Sequence, residues 1–165
     1  MRSGTLACFG LNIFLGTTAM MSEPVELLLV EDNEDDVVLI EEAFADSKLM
    51  NMIFKVRDGE EALLYLRQAG PYTHVRRPGL VLLDINMPKM NGFEVLQAMK
   101  ADPRLHSLPV VMLTTSDRED DIVRSYTDGA CSYIRKPISV EGFVQVVKDF
   151  ELYWTMVSRV PVPKS

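Results

Sequence analysis

From residue 25 onward, short apolar runs alternate with amphipathic stretches. Val25–Val30 is apolar apart from Glu26 and is bounded by acidic residues, the pattern of a buried strand. Asp35–Ser47 carries Val37, Leu39, Ile40, Ala43 and Phe44 at helical spacing. Met52–Val56 alternates as a strand does. Gly59–Gln68 places Ala62, Leu63, Tyr65 and Leu66 on a second helix, stopped at Gly70-Pro71. Leu80–Leu83 is a third buried strand. Asn91–Ala101 is a third helix, with Asn91 at the capping position and Asp102-Pro103 as terminator. Pro109–Leu113, Arg118–Thr127, Cys131–Ile134 and Ser139–Val157 supply two more strand–helix pairs.

Five strands each followed by a helix predict an α/β fold, a doubly wound five-stranded parallel sheet with helices on both faces. In such a sheet the ligand site lies beyond the carboxyl ends of the strands, near the topological switch point. The residues expected there are Glu31 and Asp32 after the first strand and Asp84 at the end of the third. Thr114-Thr115 follow the fourth, and Lys136 follows the fifth.

Three carboxylates, a hydroxyl and an ammonium converging on one sheet edge form a coherent chemical set. Two carboxylates about 4 Å apart at an effective dielectric near 20 repel by roughly 4 kcal/mol. Three of them stay ionised together only if a cation binds; otherwise a pKa rises. Oxygen-only ligation by few carboxylates suits Mg²⁺, which keeps waters and shares substrate phosphate. A carboxylate held beside that ion can attack a phosphoryl group and form an aspartyl-phosphate. Lys136 would balance the charge on the transferred oxygens and Thr114 would hydrogen-bond one of them.

Composition narrows the partners. The chain has 165 residues, a 47% apolar and 25% charged make-up, and a formal net charge of −7. That is an ordinary globular composition, and the acidic balance argues against nucleic acid as a partner. Cys8 and Cys131 have no CxxC spacing and fit a reducing compartment. Residues 1–21 imitate a signal peptide, with Arg2 ahead of the apolar Leu6–Leu15 stretch, but Asn12 and Gly16 interrupt it and it is too short to span a bilayer. Met20-Met21-Ser22 resembles a fresh start, so 1–21 is expected to be a dispensable extension or an over-long start. Residues 22–165 then form the domain, and no membrane association is expected.

The segments at the strand ends resemble the response-regulator receiver family. Glu31-Asp32-Asn33 corresponds to its acidic pair, and Asp84-Ile85-Asn86-Met87-Pro88-Lys89-Met90-Asn91-Gly92 to its phosphorylation loop. Leu113-Thr114-Thr115-Ser116 is similar to its switch-hydroxyl segment and Tyr133-Ile134-Arg135-Lys136-Pro137 to its aromatic-x-x-Lys-Pro segment. The resemblance covers about residues 25 to 157. It implies Asp84 as phospho-acceptor, with Glu31, Asp32, Asp84 and the backbone carbonyl of Asn86 holding Mg²⁺. It also implies Thr114 as the moving hydroxyl, Tyr133 as the aromatic that turns inward, and Lys136 as the charge-balancing cation. Softer strings, including Ile122-Val123-Arg124-Ser125-Tyr126 and Phe150-Glu151-Leu152-Tyr153-Trp154, are similar to single-domain regulators of bacterial phytochrome-like histidine kinases.

The resemblance implies a cytoplasmic stand-alone regulator, not an enzyme acting on other molecules, phosphorylated by a histidine kinase and signalling through a changed protein surface. A phosphatase of the haloacid-dehalogenase type would need a second aspartate where Asn86 stands, and a receiver used only as a binding platform would lack a pocket residue. Asp35 and Asp36 read as a solvated helix start. His74 and His106 have no second ligand nearby, and Arg76-Arg77 is too small a basic patch for nucleic acid. Val140, Val144 and Val147 are spaced to face the sheet. Phe150, Leu152, Tyr153, Trp154, Met156 and Val157 then exceed what one core-facing stripe needs, and a homodimer through this helix is expected.

Overall fold

A computed structural model describes residues 26–45, 52–115, 119–130, 132–136 and residue 145. Its elements are β1 (Glu26–Val30), α1 (Glu34–Ala45), β2 (Met52–Val56), α2 (Gly59–Leu66), β3 (Leu80–Asp84), α3 (Gly92–Ala101), β4 (Val110–Thr114), α4 (Glu119–Thr127) and β5 (Ser132–Arg135). The strands form one parallel sheet in the order β2-β1-β3-β4-β5. The order reverses between β1 and β3, the switch point expected from the alternating pattern.

Strand parity builds two cores. Leu28, Val30, Val81, Leu83, Val110 and Met112 point to the face covered by α2 and α3, where Ala62, Leu66, Val95, Leu96 and Met99 complete a buried cluster. Their neighbours Leu27, Leu29, Leu80, Leu82, Val111, Leu113 and Ile134 point to the opposite face, against Ile40 and Val37 of α1. Both faces are buried, which is why the strands read as continuous apolar runs and not as alternation. Apart from residue 145, the fifth helix expected at residues 139–157 lies outside the described residues, as do the extension 1–21 and the dimer contact placed on Tyr153 and Trp154.

Two helix starts are fixed by side chains that bear on the loop after β3. Asp58 accepts the Glu61 amide at 2.8 Å and starts α2. Asn91 accepts the Glu94 amide at 3.1 Å while the Glu94 carboxylate accepts the Asn91 amide at 2.8 Å, a reciprocal cap for α3. Gln68 has φ +54° at the end of α2, and a single 3-10 turn at Gly70–Tyr72 follows where the sequence reads only as a terminator. That turn carries Tyr72 onto the rings of Phe54 and Tyr65 and its hydroxyl onto Glu61. The hydrogen bond to that carboxylate pushes the Tyr72 phenol up to about 12.

Candidate functional site

The register brings the strand ends level. Val30 pairs with both Val56 and Leu83, and Asp84 pairs with Leu113. Beyond these pairs, the Glu31 amide donates to the Val56 carbonyl at 3.1 Å, the Ile85 amide to Leu113 at 2.9 Å and the Lys136 amide to Thr114 at 2.6 Å. The sheet hydrogen bonding thus continues just past each strand and holds Glu31, Asp84, Thr114 and Lys136 side by side. All four are buried. The sequence placed Asp84 at the end of β3, and it is the last residue of that strand.

The Lys136 ammonium is the centre of the cluster. Its Nζ lies 2.5 Å from Glu31 Oε2, 2.9 Å from Asp36 Oδ2 and 3.1 Å from Asp84 Oδ1. The first two contacts are aligned hydrogen bonds. The third is an ion pair to a buried carboxylate. The Glu31 carboxylate also accepts the Asn33 amide at 3.0 Å through its other oxygen.

Burial is the largest influence on the two buried acids, and it pushes both Glu31 and Asp84 above the usual carboxylate range. The charge of Asp84 pushes Glu31 further up, as those of Asp32 and Asp36 do Asp84, and Lys136 offsets part of this. Burial would depress the Lys136 ammonium. Its hydrogen bonds to Glu31 and Asp36 and the charge of Asp84 win, and it is held above its ordinary value.

Glu31, Asp32 and Asp84 each offer a carboxylate oxygen, and the three lie within 4.8 Å of one another. Glu31 and Asp84 are buried and Asp32 is exposed, so the trio is open to solvent on one side. An all-oxygen set of three carboxylates, open to solvent on one side, fits a small hard cation that keeps part of its water shell. Asn86, two residues past Asp84, is exposed in the loop between β3 and α3, and its side-chain amide donates to Thr115 Oγ1 at 3.2 Å.

Tyr133 is half-buried and meets the exposed Tyr126 of α4 edge-to-face, with ring centroids 5.9 Å apart. His74 and His106 belong to no metal-holding group found among the described residues, and no described helix is long and apolar enough to cross a membrane.

One residue departs from the sequence reading. Asp36 is not a solvated helix start but is half-buried and touches Lys136, whereas Asp35 is exposed. The signal was present in the spacing. Asp36 lies four residues before Ile40, which is fully buried, and Asp35 lies four before Leu39, which is exposed. The carboxylate of Asp36 therefore continues the buried stripe of α1 onto the strand ends.

A doubly wound parallel sheet with acidic, hydroxyl and ammonium groups gathered at its switch point defines a receiver-type signalling module. The sequence profile of the response regulator receiver domain matches residues 27–148, and the chain belongs to that family. It is 38% identical over 138 residues to the response regulator Rcp1 of Synechocystis sp., covering 84% of this chain and 94% of Rcp1. The crystal structure of the phosphorylated cyanobacterial phytochrome response regulator RcpA superposes with a TM-score of 0.69 at 45% identity, covering 85% of this chain and 99% of RcpA. The bacteriophytochrome response regulator RtBRR gives 0.71 at 41% identity, covering 84% of each chain. The Mn²⁺-bound form of Rcp1 has also been solved and gives a TM-score of 0.69 at 38% identity, covering 86% of this chain and 100% of that one. Phosphorylation on aspartate is the mechanism of this family, and the chain is a response regulator of the kind typified by these phytochrome-associated proteins.

Proposed function

We propose that Asp84 is the phospho-acceptor, taking its phosphoryl group from a histidine kinase, of phytochrome type on the similarity to RcpA and RtBRR. The observation that carries this reading is the place of the Asp84 carboxylate, buried at the end of β3, 3.1 Å from the Lys136 ammonium and within 4.8 Å of a carboxylate oxygen of Glu31 and of Asp32. One carboxylate oxygen of Asp84 forms the new P–O bond as the donor's bond to phosphorus breaks, and the electron pair of that bond leaves with the donor.

Glu31, Asp32, Asp84 and the backbone carbonyl of Asn86 would hold Mg²⁺, which supplies positive charge to the phosphoryl oxygens when bound. The Mn²⁺-bound form of Rcp1 supports a divalent ion at a related site. Lys136 balances the remaining charge. Thr114 donates its hydroxyl to the phosphoryl group and draws in β4, and Tyr133 follows by turning inward. The altered α4–β5 surface is the message, passed on to a separate protein. Loss of Asp84 should abolish phosphotransfer from an autophosphorylated phytochrome-type kinase, and label transferred to Asp84→Asn would refute the assignment.

The protein catalyses only its own phosphorylation and dephosphorylation, in a cytoplasmic setting where the kinase and its nucleotide are found. Nucleic acid and membrane play no part in this reading, on the strength of the net charge of −7. Residues 22–165 are sufficient for the function, so a chain starting at Ser22 should unfold cooperatively and accept phosphate as the full chain does. A homodimer through residues 139–157, rearranged on phosphorylation, is the proposed output. Light scattering with and without beryllofluoride tests it against Trp154→Ala, and a wild type monomeric in both states would exclude it.

A further inference from the structure

We propose that the end of the sheet opposite Asp84 carries a docking surface for an acidic segment of a partner protein, built from Arg67, Arg76, Arg77 and Arg104. The proposal is independent of the reading of Asp84. In a parallel sheet the strand-to-helix loops lie at one edge and the helix-to-strand loops at the other. The loop from α2 to β3 brings Arg67, Arg76 and Arg77, and the loop from α3 to β4 brings Arg104. Because β3 and β4 pair directly, the two loops are neighbours. Arg104 grips the Asp102 carboxylate through Nε at 3.1 Å and Nη2 at 2.9 Å, and Arg67 Nε lies 3.5 Å from the same carboxylate. Arg77 Nη1 donates to the Arg104 carbonyl at 3.3 Å, and Arg76 stands next to it in the chain.

The balance of charge sets this corner apart. Elsewhere Lys55, Arg57, Lys89, Arg124 and Lys136 each lie against a carboxylate, those of Glu41, Glu34, Asp58, Asp128 and Glu31. Here one carboxylate serves two guanidiniums. Arg77 bonds a neutral carbonyl, and Arg76 makes no ion pair or hydrogen bond among the described residues. All four arginines are exposed, and they form a positive excess on a chain of net charge −7. The sequence shows only the Arg76-Arg77 pair; the fold doubles it. A guanidinium is a planar fork that matches a carboxylate with two parallel hydrogen bonds, and it stays charged at any physiological pH.

Charge complementarity selects the occupant. A long polyanion such as nucleic acid would run off the patch onto an acidic surface and be repelled. A short acidic segment meets the arginines alone. A strand of five residues spans roughly 17 Å, so a partner seated at this end leaves the Asp84 pocket open. The surface therefore holds its partner in both phosphorylation states, unlike one that is remade by the phosphoryl group.

The test uses the full chain and a fluorescein-labelled decaglutamate peptide, read by fluorescence anisotropy at low salt. The wild type should bind saturably, with a Kd that rises as salt screens the contact. The double variant Arg76→Glu/Arg77→Glu should weaken binding about tenfold, since two attractions become repulsions. Lys55→Glu/Arg57→Glu makes the same change of net charge elsewhere and should stay within about twofold of wild type. Mg²⁺ with beryllofluoride should likewise leave the Kd within about twofold. If the first double variant does not fold, Arg76→Glu alone carries the test with a loss of about threefold, because that side chain holds nothing in the fold. Absence of saturable binding by the wild type overturns the proposal, as do equal losses in the two double variants or a Kd set by beryllofluoride. Tighter binding of a single-stranded DNA decamer than of the peptide overturns it in favour of nucleic acid. Salt-sensitive self-association in light scattering, lost in Arg76→Glu/Arg77→Glu, overturns it in favour of a second copy of this chain.

Discussion

Gly92 packs directly against the carbonyl group of Asp84. A Cβ at position 92 would lie 2.9 Å from Ile85 Cα and 3.0 Å from the Asp84 carbonyl carbon, closer than real side chains come to backbone. The Gly92 amide also donates to the Ile85 carbonyl at 3.0 Å, so the start of α3 is bonded onto the end of β3. The residue that closes the loop after Asp84 is therefore chosen for absence of volume. Gly92→Ala should cost about 2 to 3 kcal/mol, the scale of an overpacked site. It should also lower the phosphorylation rate at saturating Mg²⁺, because the strain is released through the Asp84 backbone. Chemical denaturation and the acetyl phosphate assay check both, and an unperturbed rate in a destabilised protein would separate the two effects and contradict the second.

The buried acids make stability depend on pH with an unusual sign. Glu31 and Asp84 are both raised in the folded state, chiefly by burial. A raised carboxyl contributes stability that is fully present below its unfolded value, about 4, and is lost as pH rises through the folded value. Asp84→Asn removes that loss. Without metal, the variant and the wild type should be equally stable near pH 4, and the variant should become the more stable as pH rises, the gap widening with pH. Urea unfolding across that range reads the gap, and a gap that does not widen with pH would contradict the account.

Mg²⁺ should erase most of that difference, since a bound cation neutralises the same charges. It stabilises the wild type by mass action, by about 2.7 kcal/mol at a hundred times its Kd. Asp32→Ala should lose most of this metal-induced stabilisation while folding as well as wild type without metal, because Asp32 is the exposed member of the trio and lies outside both cores. Thermal unfolding with and without MgCl₂ gives the comparison. Full metal stabilisation of Asp32→Ala would place the ion elsewhere.

How much of this was legible in the sequence depends on whether a residue's partners are local. Leu80–Leu83 and Val110–Leu113 announce buried parallel strands because both their faces are covered, so no polar position interrupts them. Asp84 is conspicuous as the carboxylate that ends such a run, and Asn91 as the cap of α3, whereas the close approach of Gly92 to Asp84 shows only in the fold. Asp36 is not legible as a site residue because its partner follows β5, a hundred residues along the chain. Only its alignment with Ile40 betrays it. The 3-10 turn at Gly70–Tyr72 is likewise set by a tertiary contact, the seat of Tyr72 on Phe54 and Tyr65, which no local pattern encodes. The ring contact between Tyr126 and Tyr133 links α4 to β5 in the same non-local way.

Whether Asp84 carries the phosphoryl group is read by intact-protein mass spectrometry after incubation with acetyl phosphate and MgCl₂. The wild type should gain the mass of one phosphoryl group, labile to base as an acyl phosphate is, and the gain should vanish when EDTA replaces the metal. Asp84→Asn should show no gain under any of these conditions. A full phosphoryl adduct on Asp84→Asn, or an adduct on the wild type that resists base, would contradict the account.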